Sequence, residues 1–91
     1  MNGPRVLIKM EILALHPELR EYLRRRRLTR KFIKQKRLFE KDVFHSSLRT
    51  ELLEPKRMCI WSFRLDRKYR AIFIFKTKNA VEIIDINDHY Q

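Results

Sequence analysis

Hydrophobic residues change their spacing about halfway along this chain, and the change divides it into a helical part and a strand part. Arg5 to Leu15 (RVLIKMEILAL) is dense in Val, Ile and Leu and predicts a first strand. His16-Pro17 ends it. Pro17 suits the first turn of a helix, where its missing N–H costs nothing. Leu19, Tyr22 and Leu23 then recur at i, i+3, i+4, which places them on one helical face. After the run Arg24 to Arg27 the pair Leu28-Thr29 reads as a break, with Thr29 as the N-cap of a second helix. Leu28, Phe32 and Phe39 fall together on a helical projection, flanked by Ile33 and Leu38. The spacing predicts an antiparallel helical hairpin over 17–27 and 29–42.

From residue 48 the period becomes two. Leu48 to Leu53 predicts a short strand and Pro55-Lys56-Arg57 a turn. Cys59 to Asp66, Tyr69 to Lys76 and Ala80 to Ile86 predict three more strands, with Arg67-Lys68 and Lys78-Asn79 as two-residue turns. A strand, two helices and then strands predict an α+β domain. Its antiparallel sheet is made of the N-terminal strand plus the C-terminal meander, and a two-helix hairpin packs on one face. With 91 residues there is room for a single domain over 1–91 and one core.

Charge adds what the pattern cannot. Twenty-two Lys and Arg against eleven Asp and Glu leave +11. Residues 20–41 hold eleven of the basic side chains and only Glu21 and Glu40 as acids, so the excess belongs to the helical hairpin. Such a surface favours a polyanionic partner: nucleic acid, a ribosome, an acidic protein or an anionic membrane. Most of these residues read as a solvated helix face. Arg24, Arg25, Arg26 and Arg27 are different, because adjacent like charges repel, and they read with Lys31 as facing phosphates or an acidic partner. Cys59, the one cysteine, has no disulfide partner and reads as a buried strand residue. His16, His45 and His89 lack ligand spacing, and one glycine makes no phosphate-cradling loop, so neither a metal nor a cofactor is expected. No apolar run approaches the ~18 residues a membrane span needs, and no signal-peptide pattern stands at the N-terminus. The expected compartment is the cytoplasm, with no membrane association.

The predicted hairpins also assign faces. A two-residue loop at Arg67-Lys68 sets Leu65 opposite Arg70 and Phe63 opposite Ile72; one at Lys78-Asn79 sets Ile72 opposite Asp85 and Ile74 opposite Ile83. By this parity Arg70, Asp85, Asn87 and His89 share a face with Trp61 and Phe63. Ala71, Phe73, Phe75, Ile84 and Ile86 take the opposite face, under the helices, and Arg64 goes with them. Arginine beside histidine is a suitable kit for phosphodiester chemistry. A guanidinium neutralises charge building on a pentacoordinate phosphate, an imidazole donates a proton near neutrality, and Trp61 or Phe63 can stack a base. A bulge would shift the parity.

These residues resemble a known family. His45-Ser46-Ser47-Leu48-Arg49-Thr50-Glu51-Leu52-Leu53 resembles the "HPSLKTHKL" stretch of RelE/ParE-superfamily toxins. Trp61 to Asp66 (WSFRLD) and Tyr69 to Phe73 (YRAIF) are similar to their "WSFRID…YRVIF" strand pair. Asp85 to Tyr90 (DINDHY) resembles their "DIGTHD" tail and the His-Tyr ending of YoeB-type members. The resemblance covers residues 28–91. It implies a toxin of a type II toxin-antitoxin system, held inactive by a cognate acidic antitoxin. It further implies a metal-independent mRNA endoribonuclease acting in the ribosomal A site, alongside ribosomal RNA, by attack of the ribose 2′-OH on the adjacent phosphate. Arg70 matches the arginine that stabilises the transition state, His89 the C-terminal acid, Tyr90 the terminal tyrosine that stacks or orients, and Arg49 a phosphate-contacting base. Glu51 stands where the motif has its second His, and a carboxylate near this strand is the base in YoeB-like members. Asn87-Asp88 replaces Gly-Thr.

Blander readings stand beside these. Arg70 pairs with Asp66 or Asp85, His89 frays with the terminus, Glu51 faces solvent, His45 caps a loop, and Arg64 makes an edge ion pair. Two other functions remain open: a ParE-like toxin that inhibits gyrase without nuclease activity, and a fold relative that only binds RNA or ribosome through the basic hairpin.

Overall fold

The computed structural model describes residues 9–89. The elements in chain order are β1 (Glu11–Ile12), α1 (Pro17–Arg25), α2 (Thr29–Lys41), β2 (Glu51–Leu52), β3 (Trp61–Arg64), β4 (Arg70–Thr77) and β5 (Ala80–Asn87). Short 3₁₀ turns at Ser46–Leu48 and Lys56–Met58 flank β2. The five strands form one sheet in the order β1-β5-β4-β3-β2, and both helices pack on one of its faces. The α+β architecture expected from the hydrophobic pattern is the one observed. Its sheet is mixed: β2 to β5 run antiparallel, and β1 joins the edge parallel to β5. Of the first strand expected over 5–15, residues 5–8 lie outside the described residues and only Glu11–Ile12 is strand.

The helical hairpin forms where the periodicity put it. Leu19 and Leu23 on α1 and Phe32 and Phe39 on α2 are buried against Phe63, Phe73, Val81 and Ile83. Phe39 is the centre of this layer, with its ring centroid 4.9 Å from that of Phe63 and 5.1 Å from that of Phe73. The break between the helices is a Schellman turn: the Leu28 amide donates to the Leu23 carbonyl and the Arg27 amide to the Arg24 carbonyl. Arg27 occupies the left-handed position, φ 57°, that usually takes glycine, and Leu28 and Leu23 are buried together beneath it. Leu28 is therefore the N-cap of α2. Thr29, expected there, is its first helical residue, because the Schellman turn ends one residue earlier than the break suggested.

The two hairpins differ from the simple loops expected. Between β3 and β4 the Leu65 amide donates to the Tyr69 carbonyl, enclosing a three-residue loop, 66–68. The Asp66 carboxylate stabilises it by accepting from the Lys68 and Tyr69 amides at 2.8 and 2.7 Å. The extra residue shifts the register by one, so Phe63 lies opposite Ala71 and Arg64 opposite Arg70. Between β4 and β5 two bulges occur, at Lys76 on one strand and at Ile84 on the other. They cancel: Thr77 faces Ala80 and Ile72 faces Asp85, as a regular hairpin would have it, while the pairs between them are offset.

These shifts move side chains between faces. Trp61 and Phe63, expected beside Arg70 as base-stacking residues, lie on the helix side. Phe63 is fully buried against Phe39, and Trp61 packs among Phe44, Phe73 and Phe75. Arg64, expected beneath the helices, shares the open face with Arg70. Ile84 is bulged out and exposed, and Ile83 takes its place in the core. Cys59 is exposed in a left-handed conformation after the second 3₁₀ turn, because the strand expected from residue 59 begins only at Trp61.

Candidate active site

The open face of the sheet carries a groove of about 490 Å³ at the end where β2, β3, β4 and β5 lie side by side. Arg70, the first residue of β4, is in its floor. It lies opposite Asn87 on β5 and opposite Arg64 on β3. Its side chain is 5% exposed, and burying a guanidinium requires compensation. Nη2 donates to the Arg49 carbonyl at 3.1 Å and lies 3.2 Å from Glu51 Oε1. The carbonyl is aimed there because Arg49 ends the 3₁₀ turn in a left-handed conformation, φ 48°. Neither Asp66 nor Asp85 is the partner. Asp66 closes its own loop, and Asp85 accepts from the Asn87 side-chain amide at 2.7 Å.

Glu51 is half exposed on the edge strand, so its carboxylate can leave Arg70 without breaking the core. Ser62 lies between Glu51 and Ile72, directly opposite both, with its hydroxyl fully buried and unpartnered among the described residues. His89 closes the groove from the chain end. Its amide donates to the Asn87 side chain at 3.1 Å, which fixes the backbone. Its imidazole is 85% exposed, with Nε2 3.9 Å from Asp88. The groove thus combines a buried cation, an adjacent half-exposed carboxylate and an exposed imidazole. That set can bind a phosphodiester and supply one group to take a proton and another to give one. Tyr90 lies outside the described residues.

The remaining sequence candidates sit elsewhere. Arg24 and Arg25 clamp Glu21 at 2.6 and 3.0 Å and hold its carboxyl down to about 2. Arg26 lies over the Tyr22 ring at 3.7 Å, and burial raises the Tyr22 hydroxyl against the opposing pull of that arginine. Lys31 pairs with Asp66 at 2.8 Å. Burial works to raise the Asp66 carboxyl, but Lys31 and the two loop amides outweigh it and hold it below the ordinary range. The arginine run is therefore an exposed surface at the end of α1 and in the turn after it, partly laced by Glu21 and Tyr22. His45 caps its turn, Nδ1 accepting from the Ser47 amide at 3.2 Å.

Sequence reasoning did not place three residues in this region, although it named Arg64 on the other face. Ser62 and Arg64 were hidden by the register shift. Gln35 was hidden by its polarity, although positions 32, 35 and 39 share a helical stripe. It is 7% exposed, and its amide donates to the Ser47 and Arg64 carbonyls at 3.3 and 2.9 Å.

Among solved structures the chain is similar to a YoeB/ParE toxin from Agrobacterium tumefaciens. The TM-score is 0.65 at 20% sequence identity, over 90% of this chain and 99% of that one. The chain has the fold of that YoeB/ParE toxin. No family model and no curated protein matches the sequence. Within the YoeB/ParE fold, the groove around Arg70 is built from β2, β3, β4, β5 and the segment after β5. Among the described residues no helix is long and apolar enough to cross a membrane.

Proposed function

We propose that the chain is the toxin of a toxin-antitoxin pair and that it cuts messenger RNA in the ribosomal A site without a metal. The observation that carries this reading is the single groove lined by buried Arg70, Glu51 and His89. A phosphate entering it competes with Glu51 for the Arg70 guanidinium, and the displaced carboxylate is then free beside the ribose. Glu51 takes the proton of the 2′-OH as the 2′-oxygen bonds to phosphorus. The bond from phosphorus to the 5′-oxygen breaks, and His89 gives that oxygen its proton. The products are a 2′,3′-cyclic phosphate and a 5′-hydroxyl. Arg70 neutralises the extra charge on the pentacoordinate phosphorus. Tyr90 is proposed to stack on or orient the nucleotide, the role that its resemblance to the His-Tyr ending implies. Arg24 and Arg25 on α1, Arg26 and Arg27 in the turn after it, and Lys31 on α2 offer an acidic antitoxin, or ribosomal RNA, a positive surface.

The test is cleavage by purified protein on programmed ribosomes. Wild type cuts the message in the decoding site. Arg70→Ala loses about 10²–10³-fold in rate, the cost of one transition-state donor. His89→Gln loses about 10²–10⁴-fold, the range for a general acid. Arg70→Ala cutting as fast as wild type ends the nuclease reading. Arrested replication with unchanged message lengths in cells points to gyrase inhibition instead.

A further inference from the structure

A second groove of about 690 Å³ adjoins the first, and no step of the proposed cleavage uses it. We infer that it holds a second backbone phosphate of the same RNA strand, next to the one at Arg70; this rests on the RNA reading. Among the described residues its lining includes three arginines, Arg49, Arg64 and Arg67, and one carboxylate, Asp66. That carboxylate is already engaged by Lys31 Nζ at 2.8 Å and by the Lys68 and Tyr69 amides. Arginine is the side chain suited to such a ligand, since its planar fork matches two phosphate oxygens at once.

Position sets the partner more narrowly than charge. Arg64 is the direct cross-strand neighbour of Arg70, and side chains so opposed start about 5 Å apart on one face. Arg49 joins the two grooves. Its carbonyl holds the Arg70 guanidinium at 3.1 Å, while its own side chain lines the second groove. A strand with one phosphate on Arg70 passes over residue 49 and brings a neighbouring phosphate to Arg64 and Arg67. The walls are also fixed in advance. Buried Gln35 donates one hydrogen bond to the Ser47 carbonyl on one wall and one to the Arg64 carbonyl on the other. Binding here thus needs little reorganisation of the backbone.

The experiment is an anisotropy titration with a labelled single-stranded RNA of about a dozen nucleotides, 2′-O-methylated throughout so that it cannot be cut, repeated over a salt series. Arg64→Gln with Arg67→Gln weakens binding about tenfold, as removal of a charge-assisted hydrogen bond does. It also flattens the slope of log K against log salt by about 0.7 for each phosphate that is no longer neutralised. Arg64→Lys with Arg67→Lys keeps most of the slope. Unchanged affinity and slope in the Gln pair overturn the proposal. Should that pair not fold, Arg67→Gln alone, in the exposed loop, must still lower the slope; if it does not, the proposal fails. Cleavage that survives Arg70→Gln removes the nuclease reading and leaves this binding result to be judged by itself. Loss of binding to an acidic peptide, with RNA binding intact, assigns the groove to a protein partner and overturns the proposal as well.

Discussion

Gln35 is the residue on which the geometry of both grooves leans, and replacing it by leucine measures how much. Its amide nitrogen makes two hydrogen bonds in a nearly solvent-free position, one to the 3₁₀ turn and one to the end of β3. Gln35→Leu keeps the volume and removes the donor. Each bond contributes about 1 kcal/mol net, and a stranded buried carbonyl costs about 1–3 kcal/mol. Burying leucine in place of the amide returns about 1 kcal/mol. The balance is a loss of about 2 kcal/mol. In a domain of this size that lowers Tm by roughly 8–16 °C and the urea midpoint by about 1–2 M. Gln35→Glu supplies a check with a sign. A carboxylate cannot donate to either carbonyl, but a protonated carboxyl can donate to one. Its folded pKa must therefore rise above the ordinary value of about 4.3. The variant is least impaired below that ordinary value and loses stability as pH rises through the raised one. Equilibrium urea unfolding from about pH 3.5 to about pH 8 spans both sides of that titration. A Gln35→Leu protein as stable as wild type, or a Gln35→Glu defect that ignores pH, refutes the pinning role.

Arg27→Gly gains about 0.5–1 kcal/mol, because glycine adopts the left-handed Schellman position without a Cβ penalty; a fall in thermal midpoint contradicts this. Ser62→Ala is neutral or more stable by up to about 1 kcal/mol, since it removes a buried hydroxyl with no partner among the described residues. A clear loss in urea unfolding means that the hydroxyl is satisfied after all. The Glu21 carboxyl is held at about 2 by hydrogen bonds from Arg24 and Arg25, so its contribution is present above pH 4.5 and is lost as pH falls towards 2. Glu21→Gln flattens the stability profile across that window, and an unchanged acid limb counts against the clamp.

Much of the fold was legible because burial follows period. Leu19, Leu23, Phe32 and Phe39 announce their helices through spacing alone, and the cores of β4 and β5 fall inside the predicted strands. What failed were the local devices that end elements. Arg27, Arg49 and Cys59 take left-handed conformations where the chain has no glycine to mark them. The strand expected over 48–53 shrinks to Glu51–Leu52 because a 3₁₀ turn, capped by His45, occupies its start. Gln35 is buried at a position that the period marks as inward and its polarity marks as outward. Packing against two orphan carbonyls settled the conflict.

The candidate site shows how a face assignment can be right and wrong within one strand pair. The loop at 66–68 holds an odd residue, and the signal was Asp66, whose carboxylate can cap the amides two and three residues on. That single residue carried Trp61 and Phe63 to the helix side and brought Ser62 and Arg64 to the side of Arg70. Between β4 and β5 two errors of the same size occurred, one on each strand, and the second undid the first. Arg70 therefore still shares a face with Asp85 and Asn87, as a bulge-free hairpin required. The bulges confine the offset to the middle of the pair, where Phe73 and Ile83 need the helix side for packing. The groove end keeps the parity that puts an arginine under open solvent.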